Sequence, residues 1–263
     1  MNTAAKETVL ITGASSGIGL ELAKCFASEG CRLVLVARST QALENLAAAL
    51  RRDHKIEAIV LTADLSLPET PGRIFAELSA QKIIVDVLVN NAGFGANGAF
   101  AELSLLRQLE MLQVNISALT ELTGQFLPGM IARRRGGILN VGSVAGFMPG
   151  PGMAVYFATK AFVLSFTEAL AEELSGAGLQ VSVLCPGPTE SNFGNIARGK
   201  KVRQLETAKM SAAAVAVYGH RAFRRGKVTI IPGVQNKIFV SLNRILPRPL
   251  PRKIVKRFNR TND

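Results

Sequence analysis

Residues Thr8–Gly19 read TVLITGASSGIG. The first five, Thr8–Thr12, form the short continuous apolar and β-branched run of a strand buried on both faces. Glycines follow at once, at Gly13, Gly17 and Gly19, and Gly17–Glu29 carries the apolar periodicity of a helix. A strand that passes through a glycine-rich turn into a helix presents backbone N–H groups, with the positive end of the helix dipole behind them. Glycine lets that backbone come close to a pyrophosphate, whose charge the helix terminus favours. The spacing is Gly-x-x-x-Gly-x-Gly, not Gly-x-Gly-x-x-Gly. Taken alone it also suits an ordinary strand–helix turn; its place after the first strand gives it weight.

Outward from that loop, strands and helices alternate. Arg32–Ala37, Glu57–Thr62, Val85–Asn90, Gly137–Val141, Leu179–Leu184 and Lys227–Ile231 read as further strands. Gln41–Arg52, Ser66–Ala80 (after a Pro68 start), Leu103–Ile131 (with Pro128 near its end) and Met153–Leu174 read as helices. Near-continuous apolar strands alternating with helices predict an α/β fold, a doubly wound parallel sheet of the Rossmann type covered on both faces. With no linker or repeat in the way, residues 1–232 are expected to form one dinucleotide-binding unit, including a substrate flap at about 190–215. A basic amphipathic extension, 233–263, follows.

The chain has 263 residues, 48% of them hydrophobic and 19% charged, enough to bury a large core. Met1–Glu7 lacks the basic start and apolar run of a secretory leader, so the cytoplasm is the expected compartment. Three cysteines (Cys25, Cys31, Cys185) and two histidines (His54, His220) have no ligand-like spacing, and no metal is expected. The net charge of +12 is concentrated: residues 1–197 hold 14 Lys+Arg against 17 Asp+Glu, whereas 198–263 hold 17 against 2. A nearly neutral body argues against a nucleic-acid binder.

Tyr156 and Lys160 lie four apart on one helix and so share a face. A phenol near pKa 10 is a poor base at neutral pH; a neighbouring ammonium favours the phenolate, the tuning that acid–base work on an alcohol requires. Ser143 follows the fifth strand, at the carboxyl end of the sheet, where ligands bind; its hydroxyl is suited to a substrate oxygen. A lone Tyr-x-x-x-Lys is more often an aromatic body beside a surface charge, but here the pair has company.

Taken with the glycine loop, Asn90-Asn91-Ala92-Gly93, Ser143 and Tyr156-x-x-x-Lys160 make residues 7–233 resemble the short-chain dehydrogenase/reductase family. The finer pattern (ITGASSGIG, LVLVARS, NNAGFG, VYFATKAFVLSF, CPGPT) is similar to its DltE-like branch of NADP(H)-dependent reductases. The resemblance implies hydride transfer between a nicotinamide and a carbonyl/alcohol pair. Tyr156 would then carry the proton, Lys160 would hold the nicotinamide ribose, and Asn115 would hold a water linking Lys160 to solvent. It also implies a dinucleotide held by Gly13, Ser15, Ser16, Gly17, Ile18 and Gly19. Asp64 would meet the adenine, with Leu65 lining its pocket. Asn91, Ala92 and Gly93 would lie on the adenosine side, with Asn90 stabilising the sheet. Pro186 and Gly187 would lie beside the nicotinamide, with Thr189 on its carboxamide. From the residues themselves Asp64 is equally a turn residue, Asn115 a helix polar residue and Pro186–Thr189 a rigid turn.

The second strand ends Ala37-Arg38-Ser39-Thr40 and lacks the acid that would hold the adenosine ribose hydroxyls. Arg38 can pair with a 2′-phosphate, helped by Ser15, which favours NADP(H) over NAD(H). Phe94, Phe147 and Met148 near the centre, and Phe193, Ile196, Val202, Leu205 and Met210 in the flap, point to an apolar carbonyl or alcohol as substrate. Lys200, Lys201 and Arg203 suit an anionic group on it, or simply a solvated face. In the extension, Val234, Ile238, Phe239, Leu242, Ile245 and Leu246 recur at helical spacing; Pro247, Pro249 and Pro251 break the helix. Beyond them Ile254, Val255 and Phe258 mix with five basic residues. Residues 233–263 could lie peripherally on an anionic membrane, or pack on the chain's own domain or a partner. A homodimer or homotetramer is the family's usual assembly.

Overall fold

The computed structural model of the chain describes residues 6–190, 209–247 and 249–259. The strands follow in chain order as β1 (Thr8–Thr12), β2 (Arg32–Ala37), β3 (Ala58–Thr62), β4 (Val87–Asn90), β5 (Gly136–Val141) and β6 (Leu179–Leu184). A small pair, β7 (Thr189–Glu190) and β8 (Met210–Ser211), precedes β9 (Thr229–Ile230). Among the described residues the centre is a seven-stranded parallel sheet in the order β3-β2-β1-β4-β5-β6-β9. Winding runs outward from β1 to β3 on one side and from β4 to β9 on the other. The reversal between β1 and β4 opens a crevice at the strands' carboxyl ends.

The helices are α1 (Gly17–Ser28), α2 (Thr40–His54), α3 (Thr70–Ala80), α4 (Leu105–Leu112), α5 (Ala118–Arg133), α6 (Ala154–Glu173), α7 (Ala212–Arg224), α8 (Val234–Ile245) and α9 (Pro249–Asn259). Strand alternation sorts the core into two layers. Val9 and Ile11 of β1, with Leu33 and Leu35 of β2, meet Leu22 and Phe26 of α1, Leu43 of α2 and Phe223 of α7. Leu10, Val34 and Val36 point the other way, onto Ile74 and Leu78 of α3, Leu122 and Phe126 of α5, and Leu170 of α6. The doubly wound parallel sheet is therefore as the sequence predicts. Helix α6 has the length and mean hydropathy of a membrane span. It is a core helix, with Tyr156, Thr159, Lys160, Val163 and Thr167 buried.

Four local readings need correction. The helix expected from Ser66 starts at Thr70, because Asp64 accepts bonds from the Ser66 N–H and hydroxyl and holds the preceding residues in a turn. The long helix expected over 103–131 is interrupted at Gln113–Ser117 by a π-helical turn. Within the end of the expected flap, Met210 and Ser211 form β8, and α7 begins at Ala212, capped by the Ser211 hydroxyl. The prolines that end α8 also start α9, since proline suits a first helical turn. Phe193, Ile196, Lys200, Lys201, Val202, Arg203 and Leu205 lie outside the described residues.

Candidate active site

The loop between β1 and α1 is built on two left-handed glycines, Gly13 (φ +65°) and Gly17 (φ +56°). A Cβ at Gly13 would stand 2.8 Å from Asn91 Nδ2 and 2.9 Å from Ala92 Cα, and one at Gly19 would collide with the Asn91 amide and the Gly13 carbonyl. Asn91 is there because it locks the loop after β4 onto the loop after β1. Its Nδ2 donates to the carbonyls of Thr12 (2.9 Å) and Gly13 (3.1 Å), and the N–H groups of Asn91 and Ala92 both donate to Thr12 Oγ1 (3.0 Å each). Ser16 makes no side-chain capping bond to α1. The first-turn N–H groups, beginning with Gly17, Ile18 and Gly19, thus keep their capacity for an anion. Ser15 is half-buried and Ser16 exposed beside them, while Ile18 packs on the core. This cradle fits a dinucleotide pyrophosphate.

Along the crevice, Arg38 stands exposed at the end of β2, and Ser39 caps α2 through the Ala42 N–H. Asp64, at the end of the next strand, is half-buried. Burial alone would raise its carboxyl, but the two bonds from Ser66 and the Arg38 charge together hold it below the usual range. Arg38 and Asp64 thus share one neighbourhood at the carboxyl edge. Leu65 is buried in the sheet's second core layer.

At the centre of the carboxyl edge, Tyr156 is buried in an apolar cluster with Met111, Ala145 and Met153, flanked by Phe94, Ala96, Val155 and Phe157. One turn on, the Lys160 ammonium donates to the Val141 carbonyl (2.7 Å) and lies 5.9 Å from the centre of the Tyr156 ring. Burial pushes Lys160 down from the ordinary 10.5 to about 8, Cys185 acting weakly against it. Ser143, just beyond β5, accepts a bond from the Ala145 N–H (3.1 Å). It donates to the Pro186 carbonyl only at 3.4 Å, so its proton is easily redirected. Asn115 sits on the π-helical turn. Its Oδ1 accepts from the Phe94 N–H (3.1 Å), and its Nδ2 donates to the Phe94 carbonyl (3.0 Å) and Thr159 Oγ1 (3.0 Å). The absence of a side chain at Gly93 matters here: a Cβ would come within 3.1 Å of Asn115 Oδ1 and 3.5 Å of Lys160 Nζ.

The turn after β6 closes the site. The Pro186 carbonyl also accepts from the Val144 N–H (3.0 Å), and Thr189 Oγ1 donates to the Gly187 carbonyl (2.9 Å). Gly187 lies hard against Asn236 of α8, and α8 packs on the short 3-10 turn Val144–Phe147 that follows Ser143.

Residues 7–201 match the short chain dehydrogenase family model. The chain belongs to the short-chain dehydrogenase family. Over 94% of its length and 85% of the relative's, it is 34% identical to the ketoacyl reductase HetN of Nostoc sp.. A Sphingobium yanoikuyae short-chain dehydrogenase in complex with NADPH superposes with a TM-score of 0.83 at 35% identity, covering 91% of this chain and 93% of that one. A Burkholderia phymatum family member in complex with NAD gives a TM-score of 0.80 at 29% identity over 92% and 94%.

As a short-chain dehydrogenase, this protein is an oxidoreductase acting between CH–OH and C=O. The structure places Gly13–Gly19, Arg38, Asp64 with Leu65, Asn91–Gly93, Ser143 and Pro186–Thr189 after the carboxyl ends of β1, β2, β3, β4, β5 and β6 in turn, and Asn115, Tyr156 and Lys160 reach the same edge from their helical segments. It adds several that single residues did not signal. Thr12 is the pivot on which Asn91 and Ala92 hang. Thr159 joins Asn115 to the Tyr156 carbonyl, its hydroxyl donating there at 2.7 Å. Asn140 accepts from Asn90 Nδ2 (2.9 Å) and donates to Thr167 (2.9 Å), tying β4, β5 and α6 together inside the core. Polar residues within apolar strand runs were the available signal for Thr12 and Asn140; Asn236 offered none.

Proposed function

We propose that this short-chain dehydrogenase uses NADP(H) to interconvert an apolar ketone or aldehyde and its alcohol, with Tyr156, Lys160, Ser143 and Asn115 as the reacting group. The observation that carries the reading is Tyr156 buried among apolar side chains with the Lys160 ammonium one turn away and Ser143 on the adjoining loop. A bound nicotinamide would supply or accept the hydride at carbon. In the reducing direction the Tyr156 hydroxyl gives its proton to the carbonyl oxygen, so that C=O becomes CH–OH; oxidation reverses the transfer. The Ser143 hydroxyl turns from its long contact with Pro186 to donate to the same oxygen. Lys160, desolvated and fixed by Val141, favours the Tyr156 phenolate. The Asn115 side chain has its partners within the protein: it clamps Phe94 and, through Thr159, the backbone of Tyr156, and so positions both walls of the pocket.

Arg38 supports NADP(H): it is exposed where an adenosine 2′-phosphate would lie, no acid takes its place, and its charge already reaches Asp64. Asp64 and Leu65 would border the adenine, while Pro186, Gly187 and Thr189 would border the nicotinamide. The apolar cluster around Tyr156, which includes Phe94, supports an apolar substrate, and the likeness to a ketoacyl reductase agrees. Exposed Leu105, Leu106 and Leu109 on α4 support a homo-oligomer.

The test is oxidation of NADPH and NADH in parallel against a panel of apolar ketones and aldehydes, with Tyr156→Phe as control. Turnover with NADPH, weaker turnover with NADH and loss in Tyr156→Phe are expected. NADPH binding without turnover of any carbonyl would turn the reading toward a silent dinucleotide-binding regulator.

A further inference from the structure

Helix α8 is two-faced in an unusual sense: its apolar stripe points away from the protein. Val234, Ile238, Leu242 and Ile245 fall within one quarter of the helix circumference at about 100° per residue. They are 70%, 55%, 52% and 82% exposed. On the opposite side Val240 is buried and Asn236 meets Gly187, so the helix is anchored through its less apolar face. Burial is what apolar side chains normally gain from folding, and a contiguous exposed stripe of this kind marks a surface that is covered by something else.

Charge says what covers it. Residues 234–259 hold seven Lys+Arg and no Asp or Glu. Lys237 and Arg244 are exposed on α8, and Arg252, Lys253 and Lys256 are exposed on α9, where Leu250 is also exposed while Pro251 and Val255 are buried. An apolar strip bordered by cations, on a segment without acids, complements an anionic lipid surface: acyl boundary for the strip, headgroups for the cations. A protein–protein interface depletes lysine rather than concentrating it.

We propose that α8 and α9 seat the protein on an anionic bilayer. Val234, Ile238, Leu242 and Ile245 enter the acyl boundary, and Lys237, Arg244, Arg252, Lys253 and Lys256 meet the headgroups. Because α8 packs through its opposite face on the turn after Ser143 and against Gly187, the docked face is one helix removed from the site's rim. Resting on the reductase reading above, this makes the substrate a carbonyl compound dissolved in the bilayer.

The experiment is co-sedimentation of the full chain with vesicles of phosphatidylcholine alone or of phosphatidylcholine with phosphatidylglycerol, at low and high salt. Binding to the anionic vesicles, weaker binding to the neutral ones, and release by salt are expected. Ile238→Asp/Leu242→Asp should lower the partition coefficient about tenfold or more, and Lys253→Glu/Lys256→Glu should lower it about tenfold or more on anionic vesicles only. Both variants should turn over a water-soluble ketone at the wild-type rate, which also shows that they fold. Equal or no binding to the two vesicle types overturns the proposal. So does a charge-reversal loss with no effect of Ile238→Asp/Leu242→Asp, the signature of a purely ionic dock for an acidic protein. A fall in oligomeric mass in the stripe variant with its vesicle binding unchanged would assign the strip to a second copy instead, and also overturns it. Vesicle binding by a wild-type chain that reduces no soluble carbonyl refutes the reductase reading and leaves the docking standing.

Discussion

Replacing Lys160 by methionine should abolish turnover and, near neutral pH, leave the folded chain at least as stable as before. The lysine is buried, its Nζ donates to the Val141 carbonyl, and its pKa falls from 10.5 to about 8. A folded-state value below the unfolded one means that the unfolded chain binds the extra proton between about pH 8 and 10.5, so this group makes stability rise with pH across that window. Below pH 8 the buried ammonium costs the full amount, about 3 kcal/mol at roughly 1.4 kcal/mol per tenfold. Methionine removes that cost. It also leaves the Val141 carbonyl unpaired, about 1 kcal/mol or more, and a small void. The net gain at pH 7 is thus on the order of 1 kcal/mol. The pH dependence is cleaner, because titrating groups remote from Lys160 cancel between the two proteins, leaving Lys160 and its neighbours Tyr156 and Cys185. The difference in unfolding free energy should move by about 2–3 kcal/mol toward the wild type between pH 7 and pH 10. Urea unfolding of cofactor-free protein at four pH values measures it. A difference that stays constant within about 0.5 kcal/mol would show that the ammonium is not desolvated and would refute the reasoning.

Three further outcomes are expected. Arg38→Asp should weaken NADPH binding about tenfold to a hundredfold and raise the relative use of NADH, read by titration of each dinucleotide; unchanged preference would remove Arg38 from the 2′-phosphate site. Asn140→Leu leaves Asn90 and Thr167 each short of a buried partner; a loss of about 2–4 kcal/mol is expected, seen as a lower urea midpoint at unchanged slope. Gly19→Ala forces a Cβ onto Asn91 and the Gly13 carbonyl. It should cost about 1–3 kcal/mol of stability and weaken dinucleotide binding, measured by melting with and without NADPH.

The parts of the fold legible in the sequence were those in which one residue type answers to one local demand. The strands of the doubly wound sheet announced themselves because burial on both faces requires unbroken apolar runs, and Gly13 and Gly17 because positive φ suits glycine. What stayed hidden depended on contacts between distant segments. Helix α7 begins Ala212-Ala213-Ala214, with no strong apolar contrast, and its place is set by Phe223 packing on Phe26 of α1. The prolines after α8 are equally compatible with a stop and with a restart; the buried Pro251 and Val255 show that tertiary packing favours the restart here. Asn236 looked like one polar residue among several in the extension. Only the fold brings it onto Gly187, about fifty positions away.

The π-helical turn at Asn115 shows how the sequence can carry a feature while disguising it. Met111, Asn115, Ala118, Leu122 and Phe126 fall on one face of an ideal α-helix, which is why the whole stretch reads as a single continuous helix. In the structure they serve two faces. Met111 packs in the cluster around Tyr156, whereas Ala118, Leu122 and Phe126 pack on the sheet. A turn that bonds i to i+5 takes up one extra residue and rotates everything after it by about 100° relative to a regular helix. Without that rotation, the register that puts Leu122 and Phe126 against the sheet would also draw Met111 toward the sheet and away from Tyr156. Asn115, inside the wide turn, is then free of either face's packing and reaches sideways to Phe94 and Thr159. The irregularity is thus what allows one helical segment to build the sheet core at its C-terminal end and the wall of the candidate pocket at its N-terminal end.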